Sequence, residues 1–148
     1  MFSRQPDLAI EQCRKTLEVW PNSGGAHIYL DWAYGMKGLY EQAIASWSDP
    51  KLAARAKRAY GRFGARGYNQ IGLNFLLERK KHIHVDPVFI AQGYTSLGQR
   101  DEAFAWLEKA YEERSFYLAE HLSCGPWFDS LRSDPRFQDL LRRMNLPP

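Results

Sequence analysis

The same residue types return at a fixed interval along this chain, and that recurrence restricts its architecture more than any local motif. Ala9 is followed by Ala43 and Cys13 by Trp47, a step of 34 residues. Tyr60, Gly64 and Leu73 return with the same step as Tyr94, Gly98 and Leu107. Between these stretches Tyr34 and Gly38 return as Tyr60 and Gly64 at a step of 26, so the middle junction is eight residues short, about two turns of α-helix. The Asp49-Pro50 pair places the shortening. Asp is a strong helix N-cap and proline is tolerated in the first turn, so the pair cuts short one helix and starts the next. A period between roughly 20 and 50 residues marks a structural unit that cannot bury its apolar face alone and stacks on its neighbours.

Helical spacing fills each period, and the expected fold class is all-α. Helices are predicted over 7–19, 25–37, 40–48, 50–63, 66–81, 87–97, 101–114, 116–122 and 135–144. The last is sharply marked. Asp134-Pro135 starts it, Phe137, Leu140, Leu141 and Met144 form one apolar stripe, and Arg136, Asp139, Arg142 and Arg143 lie on the other side.

At 148 residues, with 45% hydrophobic and 14% aromatic content, the chain can build a real core. No uninterrupted apolar run approaches the ~18 to 20 residues that span a bilayer, and the first residues lack the apolar stretch of a secretory leader. Cys13 and Cys124 match no paired spacing. Each reads as a reduced, partly buried small hydrophobe, which fits a cytoplasmic location.

A 34-residue step with these residue types resembles the tetratricopeptide repeat family. The segment 87–114 carries the resemblance best, with Ala91, Tyr94, Gly98, Ala103, Leu107 and Ala110 at the family's signature positions. Leu97-Gly98-Gln99-Arg100-Asp101-Glu102-Ala103 is similar to its inter-helix turn. A second match runs over 23–48 through Leu30, Tyr34, Gly38, Tyr40, Ala43 and Trp47, with Asp31 where a small residue is usual. Residues 7–21 resemble only the second half of a repeat. Residues 50–80 form a degenerate repeat, with Lys57 and Asn69 at positions that normally carry small side chains. The phrase from Leu131 to Phe137 is similar to the C-terminal ending of bacterial regulatory proteins that carry these repeats, and 115–148 is expected to be a capping segment. The resemblance implies a single domain of antiparallel helix hairpins, stacked as a short superhelix with a C-terminal capping helix. The half repeat at the start implies an upstream segment, self-association or a partner covering that edge.

Charge is unevenly spread. From Lys51 through Arg66 there are six basic residues and no acid, whereas Asp101, Glu102, Glu108, Glu112, Glu113 and Glu120 crowd a later stretch. Lys51, Arg55, Arg58 and Arg62 follow steps of 4, 3 and 4, which confine them to a stripe roughly 60° wide on one helix. Leu52, Ala56, Ala59, Tyr60 and Phe63 lie on the opposite, expectedly buried side. The resemblance implies that first helices line a concave groove. At the groove-facing positions stand the basic stripe, then Ile28, Trp32 and Met36, then Val88, Gln92 and Thr95. An ordinary solvated face, with Trp32 in the core, is the competing reading.

Other candidate chemistry is thin. His82-Ile83-His84-Val85-Asp86 has metal-like spacing, yet Asp86-Pro87 is better explained as a helix start. His121 and Cys124 lack a specified orienting group for nucleophilic work. Gly61, Gly64 and Gly67 follow no strand and carry no Gly-Lys-Ser ending. The expectation is therefore a non-enzymatic protein-interaction module without a cofactor, gripping an acidic and apolar peptide through Ile28, Trp32, Met36, Lys51, Arg55, Arg58, Arg62 and Gln92. Nucleic-acid binding through helix 50–66 and small-ligand sensing between helix pairs are the alternatives. The modest net charge of +3 weighs against a dedicated nucleic-acid binder.

Overall fold

Four helices begin with the same local device. In the computed structural model, which describes residues 5–147, the carboxylate of Asp49 accepts from the backbone N–H groups of Lys51 and Leu52 at 2.8 and 3.0 Å. Asp86 accepts from Val88 and Asp134 from Arg136, both at 3.0 Å, and each of these three acids precedes a proline. The Ser23 hydroxyl caps a fourth helix through Ala26 N–H. These contacts satisfy donors that a helix start leaves orphaned. Bonds from Arg136 hold the Asp134 carboxyl down at about 2.

Among the described residues the chain is helical, without strands: α1 Pro6–Val19, α2 Gly24–Met36, α3 Tyr40–Ala45, α4 Pro50–Phe63, α5 Ala65–Arg79, α6 Pro87–Ser96, α7 Arg100–Glu112, α8 Leu118–Ser123 and α9 Pro135–Arg143, with a 3-10 turn at Asp129–Leu131. Every predicted helix is present. The largest difference in length is α3, expected to reach 48 but ending at Ala45. There the Ser46 hydroxyl bonds the Ala43 carbonyl at 2.6 Å, offering the backbone an alternative to helix continuation.

Packing groups the chain into two compact units, one ending at Ile71 and the other beginning at Gly72. The division falls inside α5 rather than in a linker. In the first unit α1 packs along α2, α2 on α3, and α3 on α4. Its core gathers Cys13, Leu30, Tyr34, Ala43, Ile44, Ala56 and Tyr68. Arg14 reaches across to donate to the Tyr34 hydroxyl at 2.7 Å. The helix α1 thus buries Ala9 and Cys13, while Glu11, Gln12 and Lys15 on its other side are exposed.

The second unit centres on α6 and α7, which meet at Ala91, Ala103, Leu107 and Ala110, all fully buried. Small side chains let the two backbones approach closely. Leu118 and Leu122 of α8, Phe128, Leu131, and Phe137, Leu140 and Leu141 of α9 join the same cluster. The segment after α7 therefore covers the apolar side of that helix pair.

Two turns close alike. Leu39 N–H bonds the Tyr34 carbonyl at 2.9 Å, and Gln99 N–H bonds the Tyr94 carbonyl at 3.0 Å, across Gly38 and Gly98 at φ +70° and +73°. The left-handed glycine is what lets the chain reverse there. The third Tyr–Gly pair differs. Gly64 has φ +60° but ψ −147°, its N–H bonds Tyr60, and α5 begins at the next residue. Identical letters at 60 and 64 build a different turn.

Two sequence expectations are corrected here. Phe63, expected to be buried, is 64% exposed because it is the last residue of α4, with the Arg62 guanidinium 5.5 Å from its ring. Cys124, expected to be partly buried, is exposed just after α8.

The glycines of the 61–64–67 series have separate roles. A Cβ on Gly67 would sit 2.2 Å from the Ala59 carbonyl oxygen, whereas one on Gly61 meets nothing within 4 Å. Gly67→Ala is expected to destabilise the first unit by about 1–3 kcal/mol through backbone displacement. Gly61→Ala is expected to stabilise it by about 0.5–1 kcal/mol by restoring helix propensity. Urea unfolding of both variants checks this, and equal midpoints would contradict the close approach of α4 and α5.

Candidate partner-binding surface

The α2 sequence places two kinds of side chain on opposite sides of one helix. Ala26, Leu30, Ala33 and Tyr34 face the core and are buried. Ile28, Tyr29 and Met36 are 54%, 51% and 38% exposed, and Trp32 is half-buried with its ring edge-on to Tyr29 at 5.4 Å. The structure therefore brings the predicted Ile28, Trp32 and Met36 onto one side and adds Tyr29, which the sequence reading passed over. The signal for it was present: Tyr29 stands three residues before Trp32 and seven before Met36, the spacing of one helical face.

Asp31 anchors this helix from the other edge. One of its carboxylate oxygens accepts from Trp47 Nε1 at 2.5 Å and from the Tyr68 hydroxyl at 2.6 Å. Tyr68 in turn packs against Trp47 and Tyr40, with ring centroids 5.6 and 5.1 Å apart. An acid at a position where a small residue was expected thus ties α2, the segment after α3 and α5 together. Burial disfavours its charge and pushes the Asp31 carboxyl up to about 6 despite the two donors. Burial and then the Asp31 charge push the Tyr68 hydroxyl above its ordinary range. His27 adds a further tie, its ring nitrogens lying 2.8 and 2.9 Å from the carbonyls of Ser46 and Pro21.

On α4, Lys51, Arg55, Arg58 and Arg62 are all exposed, opposite buried Ala56. Among the described residues no ion pair engages any of the four. The helices α2 and α4 both pack on α3, so the apolar row and the basic row belong to one compact unit.

The equivalent row in the second unit is different. Val88, Gln92 and Thr95 are buried, Gln92 being only 7% exposed. Gln92 was predicted to line the partner surface. Its side chain is enclosed, and among the described residues its Nε2 has no hydrogen-bond partner. The physical reason is that α6 is buried nearly all round, with Pro87, Val88, Ile90 and Ala91 also enclosed. Val88 clusters with Leu118 and Leu122 of α8.

The other sequence candidates are placed as follows. Asp86 caps α6 and accepts the Ser115 hydroxyl at 2.8 Å, while His82 and His84 are exposed. Among the described residues no group of three or more His, Cys, Asp or Glu is placed to hold a metal ion. His121 is buried, donates from Nδ1 to the Tyr117 carbonyl at 2.9 Å and stacks on Trp127 at 4.5 Å. Burial lowers its proton affinity. No described helix is long and apolar enough to cross a membrane. No family model, no curated protein and no solved structure matches the chain.

Asp31 gives a pH signature. Its proton is held more tightly in the folded state than in the unfolded one, so its contribution is greatest below about pH 4 and is lost as pH rises through about 6. The loss at pH 8 is of the order of 2–3 kcal/mol. Asp31→Asn keeps an acceptor oxygen for Trp47 and Tyr68 without the charge. It is expected to unfold at higher denaturant than the parent at pH 8, with the difference shrinking toward pH 4. A variant less stable than the parent at pH 8 would contradict the reading.

Proposed function

We propose that the chain is a tetratricopeptide-like interaction module, without catalysis, that docks a peptide or protein bearing apolar and acidic side chains on its first unit. The observation that supports this most directly is the α2 row of Ile28, Tyr29, Trp32 and Met36 in the same unit as four exposed basic residues that no described carboxylate neutralises. Aromatic and Met side chains are favoured interface anchors, because docking removes a large apolar area from water at little entropic cost. The three arginines of α4 suit carboxylates, which they can meet through two parallel hydrogen bonds. The repeat reading is supported by the matching glycine turns after Tyr34 and Tyr94 and by the alanines buried between α6 and α7.

Nucleic-acid binding through α4 would use Lys51, Arg55, Arg58 and Arg62 alone and leave the α2 row without a role. The two readings part in experiment. Peptides selected from a random display library are expected to be rich in Asp or Glu interspersed with Leu or Phe. Tyr29→Ala with Met36→Ala is expected to weaken a selected peptide about 10- to 30-fold, and Arg55→Glu with Arg58→Glu at least as much. Unchanged affinity in both double variants would refute the docking surface. Tight duplex DNA binding that falls steeply with salt and survives Tyr29→Ala would favour nucleic acid instead.

A further inference from the structure

The second unit holds a recess of about 340 Å³ where the chain leaves α5 and passes beneath α7. It is lined by Lys80, Lys81, His82, Ile83, His84, Val85 and Pro87 from one segment and by Lys109 and Glu113 from α7. Three lysines face one glutamate, with two histidines beside them. Part of this basic content has a local explanation, since cations favour the C-terminal end of a helix and Lys80 and Lys81 follow the last residue of α5. Lys81 is engaged by Glu78 at 2.6 Å, and His82 lies 3.8 Å from the same glutamate.

Lys80 and Lys109 are not accounted for in that way. They come from different elements, yet both place their ammonium groups against one indole, at 5.6 and 5.3 Å from the centre of the Trp106 ring. Lys109 has only Glu113 at 3.7 Å, and among the described residues Lys80 has no carboxylate partner. Two cations lie against one ring and only one of them has a carboxylate partner, which leaves positive charge that an anion would offset. The indole attracts both ammonium groups beforehand, which lowers the ordering cost of binding.

We propose that this recess binds a small phosphate-bearing anion. The ligand class follows from the side chains that line it. No arginine lines the recess to fork a planar carboxylate, whereas lysines from two segments do, and lysine point charges suit phosphate oxygens. The volume lies in the range of small-ligand sites, and Ile83, Val85 and Pro87 supply an apolar floor beside the charges. The site lies wholly within the second unit and goes beyond the proposed docking function of the first.

Calorimetric titration of the full chain with pyrophosphate tests this. Saturable one-to-one binding is expected, weakened at least tenfold by Lys80→Gln with Lys109→Gln and unchanged by Lys57→Gln with Arg66→Gln, two exposed residues outside the docking row, which removes the same charge from the other unit. Citrate, of comparable charge but with planar carboxylates, is expected to bind at least tenfold more weakly. Melting curves of both double variants confirm folding, as all four lysine and arginine side chains reach solvent. Absence of saturable binding at millimolar pyrophosphate, equal weakening by the two double variants, or citrate binding as tight as pyrophosphate would each overturn the assignment.

Discussion

Close approach of helices at alanine is the constraint from which the remaining features follow. Ala43 and Ala56 in the first unit and Ala91, Ala103 and Ala110 in the second have no exposed surface. A larger side chain at these crossings would hold the backbones apart and open the seams that Tyr34, Tyr94 and Leu107 fill. Because the helices are so close, their connections must be short, and a left-handed glycine after Tyr34 and again after Tyr94 provides the reversal. On α2 the helical register puts Ala26, Leu30, Ala33 and Tyr34 inward and leaves Ile28, Tyr29 and Met36 outward.

The first unit also contains one polar device that a purely apolar packing scheme would not need. Asp31 accepts from Trp47 and Tyr68, and these donors lie on elements far apart in sequence. A half-buried polar group that is satisfied in this way selects one arrangement of its neighbours, because any other would leave the acceptor or its donors unpaired. Its raised proton affinity shows that the arrangement suits the neutral carboxyl better than the charged one. Buried His121 in the second unit has the opposite sensitivity, since burial there disfavours added charge at low pH.

The two units treat one register differently, and this shapes the functional reading. Ile28, Trp32 and Met36 remain at least partly exposed, whereas Val88, Gln92 and Thr95 are enclosed. A surface row in one place is core in the other. The basic stripe of α4 is exposed as its spacing suggested, but Phe63 leaves the expected buried side because the helix ends there. The recess near Lys80 arises from still another cause, the meeting of the segment after α5 with α7, so that Lys109 lines it with Lys80 although 29 residues separate them in sequence.

What the amino-acid order determined by itself is local. Asp-Pro pairs at 49–50, 86–87 and 134–135 set helix starts, glycines at 38 and 98 set reversals, and 3.6-residue spacing set which residues share a face. These depend on interactions within a few residues, so they are legible in one dimension. Only the tertiary structure decided which faces were covered, why Asp31 finds Trp47 and Tyr68, why Gln92 is enclosed, and how Lys80 and Lys109 both come against Trp106. Burial and long-range pairing are properties of what lies opposite a residue, and that neighbour is supplied by chain far away in sequence.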